Sequence, residues 1–177
     1  MEPTRRQYLG ALVGSASIAA AGCVDGDDSE ETENEEPSSE LRINGEVLNL
    51  SFPMGLYEPV TDNRVAEVHW HGADFSHWHL SPLELPLEGW KAYEIRLHDE
   101  DMEAIPLGPG EQFQTEVLRT EDTPEDLVGI EVAGDLVSIR GENEGGGNLV
   151  FQVLSDDEVV WTTPALPIEV SDEYEPF

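Results

Sequence analysis

After Leu41 the chain alternates apolar and polar residues with period two nearly throughout, and no long stretch holds a helical period. Successive side chains of a strand point to opposite faces, so this alternation predicts half-buried β-strands. Leu48, Leu50 and Phe52 alternate with Asn49 and Ser51, and Ala66, Val68 and Trp70 alternate with Glu67, His69 and His71. Trp78 and Leu80 form the next apolar set, after which Tyr93, Ile95 and Leu97 alternate with Glu94, Arg96 and His98. Beyond the turn Gly108-Pro109-Gly110-Glu111, residues Phe113, Thr115 and Val117 share a strand face. Leu127 to Val132 and Leu136 to Arg140 predict a strand pair joined across Ala133-Gly134-Asp135. Gly145-Gly146-Gly147 predicts a bend before a strand from Leu149 to Leu154, and Asp156-Asp157 a turn into Val159 to Thr162. Pro167 predicts an edge position for the last strand, Leu166 to Val170, because proline lacks the amide a ladder needs. About nine short strands at this spacing predict an all-β sandwich over residues 41–177. Its expected core includes Trp70, Trp78, Tyr93, Ile95, Phe113, Ile130, Ile139, Phe151 and Trp161.

One segment adds chemistry to this pattern. Four of the five histidines stand in His69-Trp70-His71-Gly72-Ala73-Asp74-Phe75-Ser76-His77-Trp78-His79, as two His-Trp-His triplets. A hairpin about the loop Gly72 to Ser76 sets His71 opposite His77 and His69 opposite His79. All four imidazoles then share one face and the two indoles pair on the other. Opposed Cα atoms would lie about 5 Å apart and same-strand histidines about 7 Å apart, close enough for the rings to converge on one ion. Because the tryptophans carry the buried parity, the histidines are predicted to face water. The plain alternative is a polar strand face of solvated histidines over ordinary tryptophan packing. Glu67 shares the histidine face and Asp74 lies in the loop, so either is a candidate further ligand or the acceptor that fixes an imidazole tautomer. His98 and Glu94 share a face on a later strand, and His98 is counted as a fifth candidate ligand.

Charge and length restrict the partners. The 177 residues carry 39 acidic against 8 basic side chains, a formal net charge of −31. That balance excludes nucleic acid and anionic membrane surfaces as electrostatic partners, since phosphate contacts need clustered Lys and Arg. It suits solubility in concentrated salt, where self-repulsion is screened, and predicts a halophilic host. From Val24 to Glu40 almost nothing is apolar, so the segment cannot offset its ordering entropy by burial and is predicted to be a disordered acidic tether.

Ahead of the tether, Thr4-Arg5-Arg6-Gln7-Tyr8-Leu9 resembles a twin-arginine export signal, followed by a small-residue apolar run to Gly22 too short and weakly hydrophobic for a dependable membrane span. Ala20-Ala21-Gly22-Cys23 resembles the lipobox of exported lipoproteins, with Ala20 where that family more often has Leu. The resemblance, to a haloarchaeal-type lipoprotein, covers residues 4–23. It implies a signal peptide over residues 1–22, lipidation at Cys23, a linker over 23–40 and a domain on the outer face of the cell membrane. Cleavage after Ala21 by an ordinary signal peptidase and retention as an uncleaved anchor are the other fates the leader allows. Cys23 is the sole cysteine, so the domain has no thiol for a disulfide, a zinc-thiolate site or a copper thiolate.

Val128 to Val153 is similar to the immunoglobulin-like repeats of bacterial surface proteins, which supports an immunoglobulin-like β-sandwich and says little of activity. His69-Trp70-His71-Gly72 resembles a copper-binding motif of multicopper oxidases, but no His-Cys-His segment follows and the chain is far shorter than those enzymes. Zinc-protease helices, nucleophile elbows, phosphate loops and dinucleotide fingerprints are likewise missing from the sequence, and no enzyme is expected. Two function classes remain. The first is an extracytoplasmic lipoprotein that binds zinc, or copper, through His69, His71, His77, His79 and His98 for capture, sensing or hand-over to a metal transporter or other surface protein. The second is a metal-free surface module for protein–protein interaction.

Overall fold

The computed structural model describes residues 41–72 and 75–174, so the expectations for the leader, Cys23, the tether and Asp74 lie outside the described residues. In chain order the strands are β1 (Arg42–Ile43), β2 (Glu46–Val47), β3 (Met54–Tyr57), β4 (Arg64–His69), β5 (His77–His79), β6 (Leu83–Pro86) and β7 (Trp90–His98). There follow β8 (Ala104–Ile105), β9 (Gln114–Arg119), β10 (Val128–Ala133), β11 (Leu136–Gly141), β12 (Gly145–Ser155), β13 (Glu158–Thr162) and β14 (Leu166–Ser171). Among the described residues the fold is all-β, as the period-two pattern predicts.

One sheet runs β10-β11-β7-β3-β4-β5, with β8 also on β7; a second joins β9, β12, β13, β14 and β6. Leu149 of β12 pairs with Arg119 of β9 and Leu166 of β14, while Gln152 pairs with Glu116 of β9 and Thr162 of β13. Strands β13 and β14 therefore run end to end along one side of β12, with β9 along the other. The sheets close on one core: Leu56, Val68, Ile95 and Ile139 from the first and Leu149, Phe151, Val153 and Ile168 from the second are buried. Each such side chain contributes about 1.5–3 kcal/mol relative to exposure. Trp78, Tyr93, Phe113 and Trp161 are buried as expected, and Trp70 and Ile130 pack against the core from partly buried positions.

Three local expectations are corrected. Leu48 to Phe52 is not a strand: the Asn49 Oδ1 accepts hydrogen bonds from the amides of Ser51 and Phe52, at 3.0 and 2.9 Å, and this Asx turn exposes Leu50. The ladder begins only after Pro53, at Met54. Gly145 to Gly147 does not bend away but opens β12. A Cβ on Gly147 would meet Leu127 Cδ2 and Thr123 Cγ2, each at 2.6 Å, so glycine here admits a close crossing. Finally, β14 is no edge, since it pairs with β12 and, in parallel, with β6. Pro167 precedes Ile168, the first residue of the β6 register, so that ladder does not need its amide.

The β10–β11 hairpin follows the sequence closely. Ala133 pairs with Leu136, which leaves Gly134-Asp135 as a two-residue turn, and Gly134 takes the positive φ of 69° that such a turn favours.

Candidate metal centre

Strands β4 and β5 end the first sheet and pair antiparallel, Glu67 opposite His79, Val68 opposite Trp78 and His69 opposite His77. This register differs by two residues from the expected hairpin. The amide of Phe75 and the hydroxyl of Ser76 both donate to the Gly72 carbonyl, at 3.3 and 2.7 Å. That turn takes residues 70–76 out of the ladder, so the loop holds seven residues rather than five. His71 consequently belongs to the loop.

The shift by two preserves side-chain parity. His69, His77 and His79 still share the outward face, with Glu67 as the fourth corner where a histidine was expected. The tryptophans keep the inward side but do not pair with each other. Trp78 packs on Phe151 of β12 with ring centroids 5.4 Å apart, and Trp70 meets Trp161 edge-on at 6.3 Å. Trp78 also donates its indole N–H to the Pro164 carbonyl at 2.7 Å. The core thus fixes β5 from behind while its histidines face solvent.

One ligand nitrogen from each of His69, His77 and His79 lies within 4.8 Å of the other two, a set that could hold a metal ion. Tetrahedral zinc with bonds of about 2.0–2.1 Å needs nitrogens about 3.3 Å apart, a difference side-chain rotation can close. His77 and His79 are nearest, Nε2 to Nε2 at 2.9 Å. The Phe75 carbonyl lies 3.3 Å from His77 Nδ1. With the proton on Nδ1 donated there, Nε2 carries the lone pair, which accepts from His79 without an ion and would ligate one, the outer-shell arrangement typical of metal-bound histidine. His71 stands beside the group, its ring centroid 4.1 Å from that of His69 and 5.8 Å from that of His77.

Phe52 closes the inner side of this patch, stacked on His69 at 5.1 Å and 18°. Strand alternation gives no sign of that contact, because Phe52 lies in the Asx turn. Partial burial pushes the His69 pKa below the ordinary imidazole value; His71, His79 and His77 lower it further and Glu67 opposes them. A neutral ring is the form that binds metal. The buried Glu67 carboxylate is ion-paired with Arg64.

His98 is not part of this group, a correction to its place among the candidate ligands. It ends β7, separated from β4 by β3, and is only 4% exposed. Its Nδ1 lies 2.9 Å from the Phe52 carbonyl and its Nε2 3.5 Å from the Tyr57 hydroxyl. Outward parity is the same for His98 as for His69, but the Asx-turn segment folds over the end of β7 and covers it. Burial lowers its pKa, reinforced by Arg96 and Arg64 and opposed by the hydrogen bond to Phe52 and by Asp99. The folded state therefore takes up a proton less readily than the unfolded chain, whose histidines titrate at about 6.5. His98 should contribute its full stability above that pH and lose it as pH falls toward the lower folded value. Urea unfolding between neutral and mildly acidic pH should show a steeper loss for wild type than for His98→Gln; equal slopes would remove His98 as the source.

No known protein family matches the chain, and no curated protein is significantly similar to it. Among solved structures it is similar to domains 4 and 5 of the S-layer protein SbsC, at 8% identity and a TM-score of 0.37. The likeness spans 59% of this chain and 64% of that one, which is under two thirds of its length.

Proposed function

We propose that this protein captures a divalent transition ion, zinc first and copper second, and presents it for hand-over outside the cell. The observation that carries the reading is the convergence of three imidazole nitrogens within 4.8 Å on the outward face of β4 and β5. Nitrogen ligands favour zinc and copper over hard ions such as calcium, which take oxygen. Three protein ligands leave a coordination position open, to be filled by His71 from the loop, by water or by a donor from an acceptor protein. An ion held at a strand edge can be reached from solvent and passed on by ligand exchange.

The address is part of the proposal. The twin-arginine leader and Cys23 support a lipoprotein held at the outer face of the membrane, and the acidic segment to Glu40 would space the domain from the lipid. Dual acylation gives stable anchoring where a single chain gives only marginal binding. Chain purified without a polyhistidine tag should retain close to one equivalent of zinc or copper by elemental analysis. A metal-free preparation that also fails to take up either ion by calorimetry would overturn the reading in favour of the metal-free interaction module.

A further inference from the structure

The three candidate ligands are not held alike. His77 and His79 stand together in β5, 2.9 Å apart through their Nε2 atoms, and His77 also reaches the Phe75 carbonyl. His69 is the one on β4, and its ring is gripped through its face by the Phe52 ring, at 5.1 Å between centroids and 18° between planes. An imidazole binds a metal through a nitrogen lone pair that lies in the ring plane. A group stacked on the ring face therefore fixes that plane without competing for the nitrogen.

Phe52 is itself held firmly, and not by the core. It is half-buried, yet it is not among the residues packed on the core cluster; its ring meets His69 and the Arg64 guanidinium, the latter 5.6 Å from the ring centroid. Its backbone belongs to a strap over residues 49–53. Within the strap, the Asn49 Oδ1 accepts from the Ser51 and Phe52 amides. At its two ends, the Asn49 amide donates to the His98 carbonyl and the His98 amide to the Pro53 carbonyl, each at 2.9 Å. Midway, the Ser51 carbonyl accepts at 3.1 Å from the amide of Trp70, the residue directly after His69. These backbone bonds tie the strap to the ends of β7 and β4 without needing the His98 ring.

We propose that Phe52 is a positioning residue for the metal centre: its ring, held in place by the strap, sets the plane of His69 so that a nitrogen of that ring meets those of His77 and His79 with little further rotation. The inference rests on the reading of these histidines as a metal site. The test compares the full-length wild type with Phe52→Ala, Phe52→Leu and Phe52→Tyr by zinc calorimetry, by electron paramagnetic resonance of bound copper(II) and by melting curves without metal. Phe52→Ala, and Phe52→Leu, which keeps an apolar cover but cannot stack, should each weaken zinc about tenfold or more, the lower end of what losing an outer-shell contact costs. Both should also alter the copper spectrum. Phe52→Tyr, which stacks as phenylalanine does, should restore affinity and spectrum. Asn49→Ala, which loosens the strap and leaves both rings in place, should weaken zinc in the same direction. If Phe52→Ala does not fold, Phe52→Leu against Phe52→Tyr carries the comparison. Wild-type affinity with an unchanged copper spectrum in Phe52→Leu, or equal losses in the leucine and tyrosine variants, would overturn the positioning role and leave the three-histidine site standing. Failure of the wild type itself to take up either ion would overturn the metal reading and this inference with it.

Discussion

Replacing His77 and His79 together with alanine should lower zinc affinity by well over 100-fold, because mutating even an outer-shell partner of a metal ligand costs about 10–100-fold. The pair removes two of the three converging nitrogens and leaves His69 alone on β4. Folding should be nearly unaffected. The two rings face outward, whereas Trp78 between them supplies the burial and the hydrogen bond that hold β5. Titration calorimetry and a melting curve on the same sample separate the two effects. His71→Ala should weaken binding less than the double substitution, since that ring joins from the loop. His98→Ala should change stability rather than affinity. Full zinc affinity in the His77/His79 variant would place the site elsewhere.

Parity, more than register, is legible in the sequence. The alternation of Ala66, Val68 and Trp70 with Glu67, His69 and His71 fixes which side chains face out, and a two-residue slip leaves that assignment intact. Three of the four clustered histidines accordingly come together on the expected face. Hairpin register depends on where the turn closes, and here closure rests on the Gly72 carbonyl gathering Phe75 and Ser76, a detail that periodicity does not encode. The same limit explains His98. Its strand follows from the alternation, but the Asx turn at Asn49 brings Phe52 over it from a distant part of the chain. The glycine run at Gly145 misleads for a different reason, since glycine signals a turn and a close crossing equally well until the crossing partners, Leu127 and Thr123, are known.

The split between an inward and an outward face also separates stability from chemistry. In the short β5, His77 and His79 belong to the candidate site, while Trp78 joins their strand to the second sheet. Three residues and one ladder with β4 are little to hold an edge strand in place. The precision of the candidate site therefore depends on a side chain on the opposite face of its strand.

Trp78→Ala should accordingly have the largest effect on stability and a coupled effect on metal binding. Trp78 is 5% exposed, packs on Phe151 and donates to the Pro164 carbonyl. Truncating such a tryptophan costs about 3–5 kcal/mol through lost burial and the cavity left behind. The Pro164 carbonyl would lose its donor as well, which adds to the cost where water does not replace the indole. For a domain of this size, a loss of that order lowers the melting midpoint by roughly 10 °C or more. Without the indole, β5 should fray and zinc affinity should fall although all three ligands remain. Added zinc should then raise the melting midpoint of Trp78→Ala, because an ion that binds only the folded state stabilises it by mass action. The same zinc should do nothing for a Trp78→Ala variant that also lacks His77 and His79. Melting curves of wild type and of these variants, with and without zinc, test the coupling, and a zinc-induced shift that survives loss of both histidines would show that the ion stabilises the domain from some other position.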